Sequence, residues 1–121
     1  MTAPKTRQSI QPKPQKINFE KTIQDAVDET FSLLGENSKK TIYQHLENDY
    51  KITKHEIPCK IEAFADALEQ SFGVGAKILE MNIIKALHER NQEFMYVPKK
   101  RDVMFTDYVA SLQCFMASQA Q

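Results

Sequence analysis

The chain contains no tryptophan, three glycines and two cysteines, and its formal net charge is zero. Each scarcity excludes something. Cys59 and Cys114 are too few and too far apart for a disulfide framework or a CxxC metal pair. Gly73-Val-Gly75 lacks the third glycine and the preceding strand of a dinucleotide loop, and no GK[ST] follows for a P-loop. Sixteen basic residues against sixteen acidic ones give no global attraction to nucleic acid or anionic membrane. No apolar run approaches the roughly 20 residues of a membrane span, and the first residues are polar where a signal peptide is apolar. The expectation is a soluble cytoplasmic protein, and 121 residues suffice for one domain with a modest core.

What is present begins with a division of charge. Residues 1–16 hold Lys5, Arg7, Lys13 and Lys16 with no acid, so the tail is +4 and the remainder −4. Pro4, Pro12 and Pro14 interrupt helix hydrogen bonding there and little is worth burying, so a disordered basic tail is expected.

Helical periodicity organises the remainder. Phe19, Ile23, Val27, Phe31 and Leu34 share one face of a helix predicted over 18–34, with Asn18 at its start and Gly35 at its end. A second helix, capped by Asn37 or Ser38, turns Ile42, Tyr43, Leu46 and Tyr50 inward. Thr53 and Glu56 have capping-box spacing, but Pro58 leaves room only for a short turn, pinned by Ile52 and Ile57. A third helix over 59–72 buries Ile61, Phe64, Ala65, Leu68 and Phe72. A fourth, over 76–90, buries Ile78, Leu79, Ile83, Ile84 and Leu87, with Met81 and Ala86 widening the stripe. Phe94, Met95, Tyr96 and Val97 read as a short extended segment cut off by Pro98. A last helix over 102–118 aligns Val103, Val109, Leu112 and Phe115 or Met116.

The order helix, glycine, short break, lysine, helix occurs twice, around Gly35 with Lys39 and Gly73 with Lys77, as in two αα-hairpins. The expected fold is therefore all-α: a compact four-helix core made of two helical hairpins, with an additional C-terminal helix. Residues 17–121 form one helical domain, and 94–121 serve as an interface extension.

Chemistry-bearing motifs are thin. His45, His55 and His88 show none of the close ligand spacing of a zinc site, so no metal and no cofactor are expected. His45 and His88 stand near helix ends, where unpaired carbonyls favour a cation. Cys59 follows Pro58 at the expected start of the third helix, where backbone amides can activate a thiol, but no base accompanies it. Cys114 reads as a small apolar residue. No catalytic carboxylate pair is visible, and an enzyme is not the expectation.

Binding has more support. Phe94, Tyr96, Tyr108, Leu112, Phe115 and Met116 would make an apolar docking surface for a protein partner or a second copy, since aromatic and methionine side chains concentrate in interface cores. A second reading is DNA or RNA contact through Lys5, Arg7, Lys13, Lys16, Lys39, Lys40, Lys51, Lys54, Lys99, Lys100 and Arg101. Residues 39–60 carry five lysines against three acids, yet the helices around them are acidic outside. A third is a small ligand, or a reaction, in a cleft near Gly73–Lys77 and Cys59, where helix amides and Lys77 would meet a phosphate.

The segments GENSKKTIYQHLE, KITKHEIPCKIEAFADALEQSFGVGAKILE and IIKALHER resemble a group of small archaeal helical proteins of unknown function over residues 24–90. The resemblance rests on Gly35, Glu36, Asn37, Lys39, Tyr43, His45, Leu46, Ile57, Pro58, Phe64, Leu68, Phe72, Gly73, Gly75, Ala76, Lys77 and Glu80. Val74 and Ile61 stand where the group has prolines, and Met81 follows Glu80. It implies a helical order and a lineage but no activity, and it leaves the tail and the segment after residue 90 outside. The leading expectation is a non-enzymatic helical adaptor or regulatory protein, dimeric through its C-terminal helix.

Overall fold

In the computed structural model, residues 15–96 and 104–119 are described. Their elements are α1 (Gln15–Ser32), α2 (Glu36–Tyr50), a 3₁₀ segment (Lys54–Cys59), α3 (Ile61–Phe72), α4 (Gly75–Arg90) and α5 (Phe105–Gln119), with no strand among them. The fold is a compact all-helical one.

Helix α1 is its centre. Ile23, Ala26, Val27 and Phe31 have no exposed surface, and Phe19 and Thr30 are nearly as enclosed. They are covered because α1 lies against α4, α2, the 3₁₀ segment and α5. The helix starts inside the expected tail, at Gln15, and ends before Leu34. Three tight bonds close it, Leu33 N–H to Thr30 O, Leu34 N–H to Phe31 O and Gly35 N–H to Ser32 O, at 3.2, 3.0 and 3.0 Å. Leu34 consequently leaves the core face and is exposed.

Gly35 turns the chain at φ 101°, a value that an L side chain resists, and its carbonyl accepts from Lys39 N–H at 2.9 Å. No side chain caps α2: Asn37 and Ser38 lie within its first turn, and Glu36 meets its positive end. At the other end Lys51 takes a left-handed conformation (φ 59°), with its N–H on Glu47 O at 3.2 Å. The reversal buries Ile52 and, beyond it, Ile57 and Pro58. Thr53 N–H donates to Glu56 Oε1 at 3.0 Å, so the capping box opens a 3₁₀ segment rather than a long helix. Cys59 belongs to that segment and not to the start of α3.

Helix α3 buries Phe64, Ala65, Ala67 and Leu68, while Glu62, Asp66 and Glu69 face outward. Helix α4 buries Ala76, Leu79, Ile83, Ile84, Ala86 and Leu87. Arg90 Nη2 reaches Glu29 Oε1 at 2.7 Å and sets the C-terminal ends of α4 and α1 side by side. Besides Leu34, three residues expected in the core are outside it: Phe72 is 37% exposed, Ile78 66% and Met81 43%. Helix α4 is apolar on more sides than its neighbours cover.

Helix α5 closes the chain's own core. It packs on α1, α3 and α4 and buries Phe105, Tyr108, Val109, Leu112 and Met116. Phe31, Phe64 and Phe105 are linked by ring contacts at 6.3 and 6.2 Å, which carry one aromatic seam from α1 through α3 to α5. Phe94 is buried and closes a turn, its N–H bonded to Asn91 O at 3.0 Å. Val97, Pro98 and Val103 lie outside the described residues.

Two of the three isoleucines of α4, Ile78 and Ile83, differ in a measurable way. Ile83→Ala should cost about 2–5 kcal/mol by urea unfolding, because a cavity opens at a fully buried position, while Ile78→Ala should stay within about 0.5 kcal/mol.

Candidate functional site

The corner between α3 and α4 concentrates what the core does not use. Gly73 takes φ 58°, donates its N–H to Glu69 O at 2.8 Å and accepts from Ala76 N–H at 3.0 Å. The tight turn pushes Val74 outward until it is 95% exposed. Val74, Ile78 and Met81 follow at i, i+4 and i+7, so they align along one face of α4, and Phe72 adds its ring from the end of α3. An apolar row this continuous is unusual on a small monomer, where exposed hydrophobic residues are commonly scattered.

Beside the row lies a cleft of about 550 Å³, within the range of ligand pockets. Its walls are Ala65, Glu69 and Gly73 of the α3 side, Val74, Lys77 and Glu80 of the α4 side, and Met104, Phe105 and Thr106 at the start of α5. The cleft near Gly73–Lys77 is thus present, but Cys59 is not part of it. Cys59 lines a separate cleft of about 370 Å³ with Phe19, Ile61 and Val109, and its thiol faces Glu20 Oε2 at 3.8 Å. Cys114 is exposed on α5.

Glu80 is the unusual group of this corner, as the Tyr108 hydroxyl, also buried without a partner, is of α5. Its Oε2 is enclosed and has no hydrogen-bond partner among the described residues. Burial pushes its carboxyl above the ordinary carboxylate range, the Glu69 charge adds to this, and Lys77 opposes it. A carboxylate half out of water without a donor is costly.

A second charged cluster is structural. Asp28 of α1 accepts Tyr43 Oη–H at 3.2 Å and meets Lys54 Nζ at 3.2 Å and Lys39 Nζ at 3.5 Å. Lys39 also donates to Ser32 Oγ at 3.1 Å, and Lys54 lies 5.2 Å from the centre of the Tyr43 ring. Burial pushes the Asp28 carboxyl up, but Lys54, the Tyr43 hydroxyl and Lys39 outweigh it and hold it below its ordinary value. Burial and the Asp28 charge raise the Tyr43 phenol. The cluster joins α1, α2 and the 3₁₀ segment.

That arrangement engages two of the lysines considered for nucleic acid. Lys51 donates to Asn48 O at 3.3 Å beside them, and Lys40 is exposed. Lys5, Arg7, Lys13, Lys99, Lys100 and Arg101 lie outside the described residues, as does the side chain of Lys16.

The expected docking residues are placed differently from the expectation. Phe94, Tyr108, Leu112 and Met116 are buried within the chain, and Tyr96 and Phe115 pack half-buried against them. Phe94 touches Tyr108 at 5.4 Å and Phe115 at 5.2 Å between ring centres, so these rings satisfy one another. The correction has a simple cause: α5 folds back across three helices and spends its apolar side there. Its exposed neighbours are Met95 and Met104.

One constellation had no counterpart in the sequence reading. His45 Nδ1 meets Asp49 Oδ2 at 2.6 Å, and His45 Nε2 meets Ser71 Oγ at 2.9 Å. This is the bonding order of an acyl-transfer triad. The i, i+4 spacing of His45 and Asp49 is legible, but Ser71 reaches them only through the packing of α2 beside α3. The side chains of His45 and Asp49 are 40% and 59% exposed, and Ser71 lies in the last turn of α3, where carbonyls rather than amides would face a developing oxyanion. Neither of the two clefts described above is lined by these residues. The constellation ties α2 to α3, together with Tyr50 Oη–H on Gln70 Oε1 at 3.4 Å.

His55 and His88 are exposed, with His88 in the last turn of α4. Among the described residues there is no group of three His, Cys, Asp or Glu able to hold a metal ion, and no helix is long and apolar enough to cross a membrane. No family model, curated protein or solved structure matches this chain.

Two measurements check these assignments. The lowered Asp28 pKa contributes stability above its unfolded value that is lost as pH falls through the folded one. The raised Glu80 pKa contributes stability at low pH that is lost as pH rises through its folded value. The advantage of wild type over Asp28→Asn should therefore shrink on acidification below about pH 4, whereas Glu80→Gln should gain on wild type as pH rises from about 4 to 7. Urea midpoints across pH report both. Separately, wild type and Ser71→Ala should hydrolyse p-nitrophenyl acetate at the same rate, with Ser71→Ala less stable by about 0.5–1.5 kcal/mol.

Proposed function

We propose that the protein is a non-enzymatic helical interaction module whose docking surface is the α3–α4 corner, with a second copy of the chain as its first partner. The observation that carries this reading is the row of Phe72, Val74, Ile78 and Met81 left in water by a chain whose other large apolar side chains are mostly buried. A twofold axis across α4 sets Ile78 and Met81 of one copy against those of the other and makes a self-complementary contact. The row is short, so the contact falls below the roughly 800 Å² per partner of a standard interface and the association is weak.

Helices α1–α4, read as two hairpins, serve as the scaffold, and α5 secures them instead of forming the interface. The basic tail adds electrostatic steering toward an acidic surface. A cytoplasmic setting and kinship with the small archaeal helical group belong to the same proposal. Nucleic-acid binding is the weaker reading, because Lys39 and Lys54 are engaged with Asp28.

Sedimentation equilibrium over a concentration series tests the reading. Wild type should self-associate with a Kd of roughly 10–100 μM, corresponding to about 5.5–7 kcal/mol. Ile78→Glu should be monomeric at the same concentrations with its urea midpoint preserved. A wild-type monomer throughout, or an Ile78→Glu variant that associates equally, refutes it.

A further inference from the structure

We propose that the cleft between α3, α4 and the start of α5 receives a single arginine side chain of a protein partner. The inference rests on the interaction-module reading, since Val74 belongs both to the exposed row and to the cleft wall.

Charge decides the sign of the occupant. Among the described residues, Glu69 and Glu80 line the cleft against Lys77, so this described lining is net negative, and an anion at the first turn of α4 would meet both carboxylates. One of the amides at that turn, Ala76 N–H, is already bonded to Gly73 O. The enclosed, unpaired Glu80 oxygen shows that the protein does not itself complete this carboxylate among its described residues. The charge is shared by both oxygens, so a cation at the cleft wall compensates it without reaching the enclosed atom.

The walls decide the kind of cation. Ala65, Val74, Met104 and Phe105 are apolar, and a strongly hydrated ammonium gives up more hydration there than a guanidinium does. A guanidinium is planar and weakly hydrated and presents paired N–H donors to a carboxylate.

The test uses ¹⁵N–¹H NMR of the full chain titrated with N-acetylarginine methylamide, and with the citrulline analogue as its neutral isostere. The arginine probe should give saturable shifts at Val74, Lys77, Glu80 and Phe105, with a Kd in the millimolar range expected of a fragment. The citrulline probe should give none. Glu80→Gln should weaken binding about tenfold, or ~1.4 kcal/mol, and Glu69→Gln about two- to threefold. Signal dispersion of each variant confirms its fold.

Equal shifts from both probes, shifts centred elsewhere, or an unchanged Kd in Glu80→Gln overturn the proposal. Ile78→Glu separates it from the reading beneath it: that variant should lose self-association and still bind the arginine probe. Probe binding by a strictly monomeric wild type removes the second copy and keeps the cleft. Self-association without probe binding removes the cleft alone.

Discussion

The complete removal of one side of α1 from water is the constraint on which the rest depends. Ile23, Ala26, Val27 and Phe31 are enclosed only because α4, α2, the 3₁₀ segment and α5 converge on them. Ile23, Val27 and Phe31 each contribute about 1.5–3 kcal/mol when fully buried, so in a domain of this size a missing neighbour would consume much of the net stability. The polar residues of α1 work from the same position. Asp28 gathers Lys39, Tyr43 and Lys54, and Glu29 takes Arg90, so charge fixes the orientation of elements that apolar burial only brings together.

The same constraint explains the unused apolar surface. Helix α4 turns Leu79, Ile83 and Leu87 toward the interior, and a helix cannot bury the opposite side without a further layer. Among the described residues there is no such layer, because α5 is drawn over α1, α3 and α4 and its start only flanks the cleft. Val74, Ile78 and Met81 are therefore a surplus that the monomer does not need. The incomplete Glu80 carboxylate is a polar counterpart of that surplus, in the same corner. Two uncompensated groups of opposite character, adjacent to each other, favour a partner that supplies both an apolar edge and a positive charge.

Much of the helical order was legible because local rules and tertiary packing agree there. The 3.6-residue spacing from Phe19 to Phe31 marked the face that is buried, and Gly35 and Gly73 marked turns at which positive φ is required. Thr53 and Glu56 read correctly because a capping box is a contact over three residues. The candidate site was less legible. The interval around Gly73–Lys77 stands out in the sequence, but the aromatic residues near the C-terminus read as an interface and Ile78 reads as core. Composition registers that a side chain is apolar without registering which neighbour covers it.

By itself, then, the sequence determined the helical elements and turns of the described chain and the balance of charge, because these follow from periodicity, backbone conformation and counting. Only the tertiary structure decided that α5 belongs to the chain's own core, that Asp28 gathers lysines from two other elements, and that His45 meets Ser71 across 26 positions. It alone left Val74, Ile78 and Met81 in water beside an uncompensated Glu80. The physical reason is the same in each case. Burial and electrostatic pairing are properties of surfaces brought together by packing, and the contacts that decide them join residues whose separation in the chain carries no periodic signal.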